Sequence, residues 1–430
     1  MRNRIKKYYP ALTADARQEK VIFLLIQAGI TGINALTGFM ILRGLVKTEY
    51  AVFTIIFSML AIFTNITNVG ITPAMSGIGG SIWENRREMQ ALLNTALRLR
   101  SQLGWWFAIP FIVYSAWQFG ETGLNPAPLL ALVLLLLFAA WIQLQFALFS
   151  IILQLNKAVR QLQENELRYV LLKFAGVATL LWLRLPVTVV FGWICLTMFL
   201  NLRVNQILAG HYLEPHAETE VRFQKAINGI IRSNFLRTLY WSLEGQISIL
   251  LCTLFATTEN IAEIGALGRL SVYFAIFQAF IINYSLPGLA KTQDKRAILD
   301  RAQRILFHTI LMIIPILAWA LLHPDSLLWV LGPNYQSLKN QLCLYLMAIA
   351  IGQLAAVVYQ ICAAKAWIQT NRFYVPLALP LQIGLIYWLN LADIGNVILF
   401  IGFNNLFFLL FNSAMLLFAF YRYQSSLLST

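Results

Sequence analysis

The sequence predicts an all-α, polytopic membrane protein of about twelve transmembrane helices arranged as two six-helix bundles. Three observations carry this reading. Only 12% of the 430 residues are charged and 59% are hydrophobic, about half the charge expected of a soluble domain. Apolar runs recur along the whole chain, and about 20 such residues cross a hydrocarbon core of roughly 30 Å at 1.5 Å per residue. Finally, Lys and Arg gather in alternate connections between those runs.

Taken in order, the basic arm 1–20 (MRNRIKKYYPALTADARQEK) precedes an apolar run too long for a signal peptide and without a small-residue cleavage site, so 21–45 reads as a retained first span. Spans at 49–72, 100–119, 128–153, 169–183 and 187–208 complete an N-terminal bundle, 21–208. A charged stretch, 209–234, reads as a cytoplasmic amphipathic linker. Spans at 235–256, 262–287, 305–322, 340–362, 375–390 and 396–421 make a C-terminal bundle, 235–421, followed by a tail, 422–430.

With the N-terminus inside, 26 of the 32 Lys and Arg residues lie in inner segments. Only Arg43, Lys47, Arg184 and Lys339 lie outside, while Lys173 and Arg269 fall within spans. That asymmetry places both termini in the cytoplasm. It also accounts for the net charge of +14, so no nucleic-acid partner is needed. The outer connections are too short for a folded extracytoplasmic domain.

A shift of 214 positions lays Glu49 on Glu263, Ala61-Ile62-Phe63 on Ala275-Ile276-Phe277, and Pro73 on Pro287. Halves of even span number share one orientation, so this echo points to a parallel repeat, as in carriers whose substrate path lies between the halves.

Polar residues inside spans are the candidate functional groups. Arg269, in the eighth span, costs about 2.5–3.5 kcal/mol at a helix centre. It either snorkels to headgroups, faces a watered cavity and an anion, or pairs with a neighbour. Glu244, in the seventh span, is the natural neighbour; its other readings are a proton or cation site, or a hydrogen-bond partner for sugar hydroxyls. Asn65 and Asn68 share one face of the second span, Asn201 and Asn205 one face of the sixth, and Asn34 and Gln278 add single amides. Such amides either bond between packed helices at about 0.6 kcal/mol each or line a hydrophilic cavity suited to a sugar-phosphate.

Tryptophans such as Trp105, Trp117, Trp182, Trp319 and Trp388 fall near span ends, as an interfacial belt requires. The four cysteines show neither disulfide nor zinc spacing. No catalytic constellation, phosphate loop or metal motif is visible, so the chain is read as a non-enzyme without cofactor or metal.

At ILRGLVKTEYAVFTIIFSMLAIFTNITNVGITPAMSG (residues 41–77) the chain resembles the polysaccharide-transport branch of the MOP (MATE-like) exporter superfamily, the Wzx-type O-antigen and capsule flippases. Their first spans carry an L-x-x-x-E-Y/F-G turn and then D/N-x-G. Here Leu45, Glu49-Tyr50-Ala51 and Asn68-Val69-Gly70 hold those places, with Ala51 where the family usually has Gly. ENIAEIGALGRLSVYF is similar to the family's vGxYxxAxrl, through Ile264, Gly265, Ala266 and Arg269, and Gly332 with Tyr335 matches its outer G-x-x-Y loop.

The resemblance implies a flippase that moves an undecaprenyl-diphosphate-linked oligosaccharide across the bacterial plasma (inner) membrane by alternating access. Such a protein serves O-antigen (lipopolysaccharide), capsule or exopolysaccharide biosynthesis. Its implied partners are the polyprenyl-diphosphate-linked glycan, membrane lipids and other polysaccharide assembly proteins. The rival readings are a multidrug exporter of the same superfamily, which should line its cavity with carboxylates, and a membrane-embedded polysaccharide polymerase or glycosyltransferase, which should carry a large loop or domain.

Overall fold

The computed structural model describes residues 10–428, apart from 121–124, 157, 215–218, 275–277, 279–280, 282–284, 287–288, 290–291, 293, 366 and 368–371. The described residues are all-α, and every expected span falls at least in part on a helix. Contacts divide the chain into two compact units, Met1–Gln246 and Ile247–Thr430.

In the first unit, α1 (Pro10–Gly44) is followed by α2 (Lys47–Thr67), α3 (Ile71–Ile82), α4 (Arg86–Gly120) and α5 (Pro126–Leu155). Then come α6 (Val159–Trp182), α7 (Val187–Gly210) and α8 (Val221–Glu244). α2 is the interior helix, with Tyr50–Ile56 buried without interruption, and it packs against α4, α5, α7 and α8. A helix apolar all round requires that position. α1 lies on α6, and α6 and α5 both lie on α7. The α6–α7 corner closes with Leu185 N–H on Leu180 O at 3.0 Å and Arg184 N–H on Leu181 O at 3.0 Å, Arg184 sitting at φ 54°, the left-handed end that satisfies last-turn carbonyls.

The second unit begins with α9 (Ile247–Phe255) and α10 (Thr258–Arg269), the latter capped by the Thr257 hydroxyl accepting from Asn260 N–H. α11 (Lys295–Leu322), capped by Asp294, leads to α12 (Pro324–Leu331) and a 3₁₀ turn, Pro333–Leu338. α13 (Lys339–Ala364), α14 (Tyr374–Trp388) and α15 (Ile394–Leu428) complete it. α13 runs along α15 as the central pair, with α11 on α13 and α14 on α15.

The surface is apolar, as a bilayer solvent demands: Trp105 is 76% exposed, Trp182 81% and Trp388 73%. Seven described helices are by themselves long and apolar enough to cross a membrane. The other five expected spans fall on helices that carry charge (α4, α6, α8 with α9) or are short (α10, α14).

Three features differ from expectation. The second apolar segment does not end at 72 but breaks at Asn68–Gly70 and continues as α3 to Ile82. The third span begins fourteen residues into α4, which carries the cations Arg86, Arg87, Arg98 and Arg100 on a helix, not a loop. The stretch 209–234 is helical from Val221, and α8 packs on α2, α3 and α4, so contacts divide the chain after Gln246. The arm 1–20 is helical from Pro10 and the tail 422–430 as far as Leu428. Of the internal echo, 275–277 and 287 lie outside the described residues.

Candidate functional site

Three of the sequence candidates sit where a helix breaks inside an expected span. Asn68 ends α2, followed by Gly70 at φ 70° and the restart at Ile71. Glu244 ends α8; Gly245 and Gln246 N–H groups bond Trp241 O and Leu243 O at 3.0 Å before α9 begins. Arg269 ends α10, where Leu270 N–H bonds Leu267 O at 3.0 Å and Ser271 N–H bonds Gly268 O at 3.1 Å. Irregular backbone at membrane depth persists only where it is packed in protein or lines water. Broken helices are also where carriers hold charged cargo.

The helix ends give Arg269 and Glu244 opposite energetics. A cation at a helix C-terminus gains about 0.3–1 kcal/mol from the macrodipole, well short of the roughly 2.5–3.5 kcal/mol that an intramembrane arginine costs. A carboxylate there is disfavoured twice, by the dipole and by desolvation. Both side chains are half-buried, Glu244 in the first unit and Arg269 in the second. Neither position is explained by helix electrostatics alone.

The other amides divide. Asn65 is exposed on α2, and Gln278 is helical and half-buried between segments outside the described residues. Asn34 on α1 accepts a hydrogen bond from Lys173 Nζ on α6. Lys173 also acts electrostatically on Glu166, two turns earlier. Asn201 and Asn205 on α7 are joined by Asn165 of α6, whose Nδ2 donates to Asn201 Oδ1 at 2.8 Å and to Asn205 Oδ1 at 2.9 Å. Two residues earlier on α6, Gln163 Nε2 donates to Gln27 Oε1 of α1 at 3.1 Å. Asn205 is fully buried and Asn201 half-buried, and both bond across the α6–α7 seam. Asn165→Leu should lower the melting temperature in detergent through the loss of about 0.6 kcal/mol per bond, with transport per folded molecule unchanged.

Sequence reasoning placed Arg100 in an inner connection, yet it is 1% exposed in the middle of α4 and is the largest fully buried side chain among the described residues. Its Nη1 donates to Leu144 O on α5 and its Nη2 to Thr72 Oγ1 on α3 at 3.4 Å. Thr72 Oγ1 in turn lies 3.4 Å from Asn68 Oδ1. The break at Asn68 is thereby tied to a buried cation. The helical spacing of Met89, Leu92, Leu93 and Ala96 carries that signal, because Arg100 continues their stripe at i+4 from Ala96.

No family model matches the chain, and no curated protein does. Solved structures do. The lipid II flippase MurJ in an inward closed conformation aligns over 93% of this chain and 87% of its own, at a TM-score of 0.70 and 11% identity. An inward-facing multidrug resistance MATE family transporter of the MOP superfamily aligns over 92% of this chain and 95% of its own, at a TM-score of 0.62 and 12% identity. A MOP superfamily transporter from Pyrococcus furiosus, described as having a binding pocket of reversed polarity, aligns over 93% and 95%, at a TM-score of 0.53 and 14% identity. The chain therefore has the fold that MATE family transporters of the MOP superfamily share with the lipid II flippase MurJ.

Proposed function

We propose that the protein is a flippase for a polyprenyl-diphosphate-linked oligosaccharide, working by alternating access in a bacterial plasma membrane to supply surface polysaccharide assembly. The observation that carries this reading is the presence of cations, Arg269 and Lys173, inside membrane helices of a fold that a lipid II flippase also has. An ionised diphosphate pays several kcal/mol or more to enter hydrocarbon. A guanidinium meeting it with charge-assisted hydrogen bonds offsets much of that penalty. With the cytoplasm negative, outward passage of each negative charge is favoured by about 2.3 kcal/mol per 100 mV, so an inward coupling ion is not required. The amides Asn34, Asn65, Asn68 and Gln278 are the proposed partners of sugar hydroxyls, and Glu244 a proton or hydroxyl partner.

Deletion of the gene should leave lipid-linked glycan accumulating in the inner leaflet while the polymer disappears from the surface. Accumulation of single repeat units on the outer leaflet would indicate a polymerase instead. A second reading, export of cationic drugs, draws on the half-buried Glu244, the buried Glu263 on α10 and the MATE fold. It requires that the protein lower cellular retention of a cationic dye and that Glu244→Gln abolish this.

A further inference from the structure

Beyond transport, the first unit holds a groove with an unbalanced charge at its floor. A pocket of about 480 Å³ opens between α4 and α5, with Phe63 of α2 at its back, a size that holds a single ligand. Its walls grade along the helices. One end has Arg100, Ser101 and Gln145; the other has only Ala108, Ile112 and Leu137. The α4 side runs from Leu97 to Ile112, about 22 Å at 1.5 Å per residue. Trp105 and Trp141, 76% and 43% exposed, flank the mouth.

Arg100 has five N–H donors, but its partners are one carbonyl and one hydroxyl, and its buried Nε bonds nothing. Among the described residues no carboxylate pairs with it. A buried guanidinium without a counter-charge is strongly destabilising unless something anionic completes it. At the polar end, Gln145 Oε1 accepts from Gln206 Nε2 at 2.9 Å, and Gln206 Oε1 accepts from the exposed Arg203 at 3.3 Å. A second cation is thus linked to that end through Gln206.

We propose that this groove binds one anionic phospholipid of the surrounding bilayer, drawn from the leaflet on the side of Arg86, Arg87 and Arg98. Its phosphate sits at the Arg100–Ser101–Gln145 end and one acyl chain lies along Ala108, Ile112 and Leu137. A small anion alone would leave the apolar end of the groove empty, and a lipid without a phosphate would leave Arg100 unbalanced. Because Thr72 links Arg100 to Asn68, the lipid's phosphate also braces the break between α2 and α3.

The test is lipid retention by the full-length protein in detergent, read by native mass spectrometry after incubation with phosphatidylglycerol or the diacylglycerol of the same chains. The wild type should retain phosphatidylglycerol about tenfold or more over diacylglycerol, the gain expected of a charge-assisted bond. Ala108→Phe, which fills the apolar end and leaves Arg100 in place, should abolish retention. Arg100→Leu should erase the preference; if that variant does not fold, the wild-type selectivity together with Ala108→Phe decides the question. Equal retention of the two lipids, undiminished retention by Ala108→Phe, or displacement of the lipid by millimolar inorganic phosphate alone would each overturn the proposal.

Discussion

Arg269→Ala is expected to lower the rate of glycan export by about 10- to 150-fold at unchanged protein level. That range is what a charge-assisted hydrogen bond of about 1.5–3 kcal/mol is worth when it is lost. The position explains why the effect should fall on transport rather than on folding. Arg269 closes α10 beside two turn residues and is half-buried, so its truncation leaves the interior of α10 intact, and the macrodipole gain it forfeits is small. Arg269→Lys keeps the charge but loses the planar fork that matches a phosphate in two bonds at once. It should retain an intermediate rate, measured as surface polymer per cell against membrane protein quantified by immunoblot. Normal export by both variants would remove Arg269 from the pathway.

Gly70→Ala is the substitution expected to damage the fold most. Gly70 stands at φ 70° in the break between α2 and α3, a conformation costing about 1–2 kcal/mol for a residue with a Cβ. The added carbon would lie 2.8 Å from Ile231 N and 2.9 Å from Ile231 Cα, both backbone atoms of α8. Backbone cannot rotate out of the way, so overpacking adds about 1–3 kcal/mol. Against a total stability of about 5–15 kcal/mol, the sum predicts a large fall in melting temperature and in the monodisperse fraction on size-exclusion chromatography in detergent. An unchanged melting curve would contradict the close crossing of α8 over the break.

The spans were legible because a bilayer imposes one dominant rule, namely that long stretches must be apolar, and the periodic runs at 128–153, 187–208 and 396–421 match α5, α7 and α15 within a few residues except at the far end of α15. Where charge enters a helix, the rule misleads. α4 and α6 begin fourteen and ten residues before the expected spans because Arg86–Arg100 and Arg160–Arg168 read as connections. That is how Arg100 and Asn165 escaped notice. The amide pair Asn201 and Asn205 was found by its i, i+4 spacing, but spacing does not say what lies opposite, and Asn165 comes from a helix 36 residues away. The breaks at Gly245 and Leu270 carry no Pro, and their glycines, Gly245 and Gly268, lie in stretches that read as continuous apolar spans, so the C-terminal ends of α8 and α10 were not visible in composition.

The most direct test of the proposed function is translocation by the purified protein in liposomes carrying a fluorescent polyprenyl-diphosphate oligosaccharide, with inner-leaflet label protected from an added quencher. The account predicts that wild-type protein makes the protected half accessible within the experiment while Arg269→Ala leaves it protected, as in protein-free vesicles. Loss of protection at the same rate with and without the protein, or equally fast with Arg269→Ala, would contradict it.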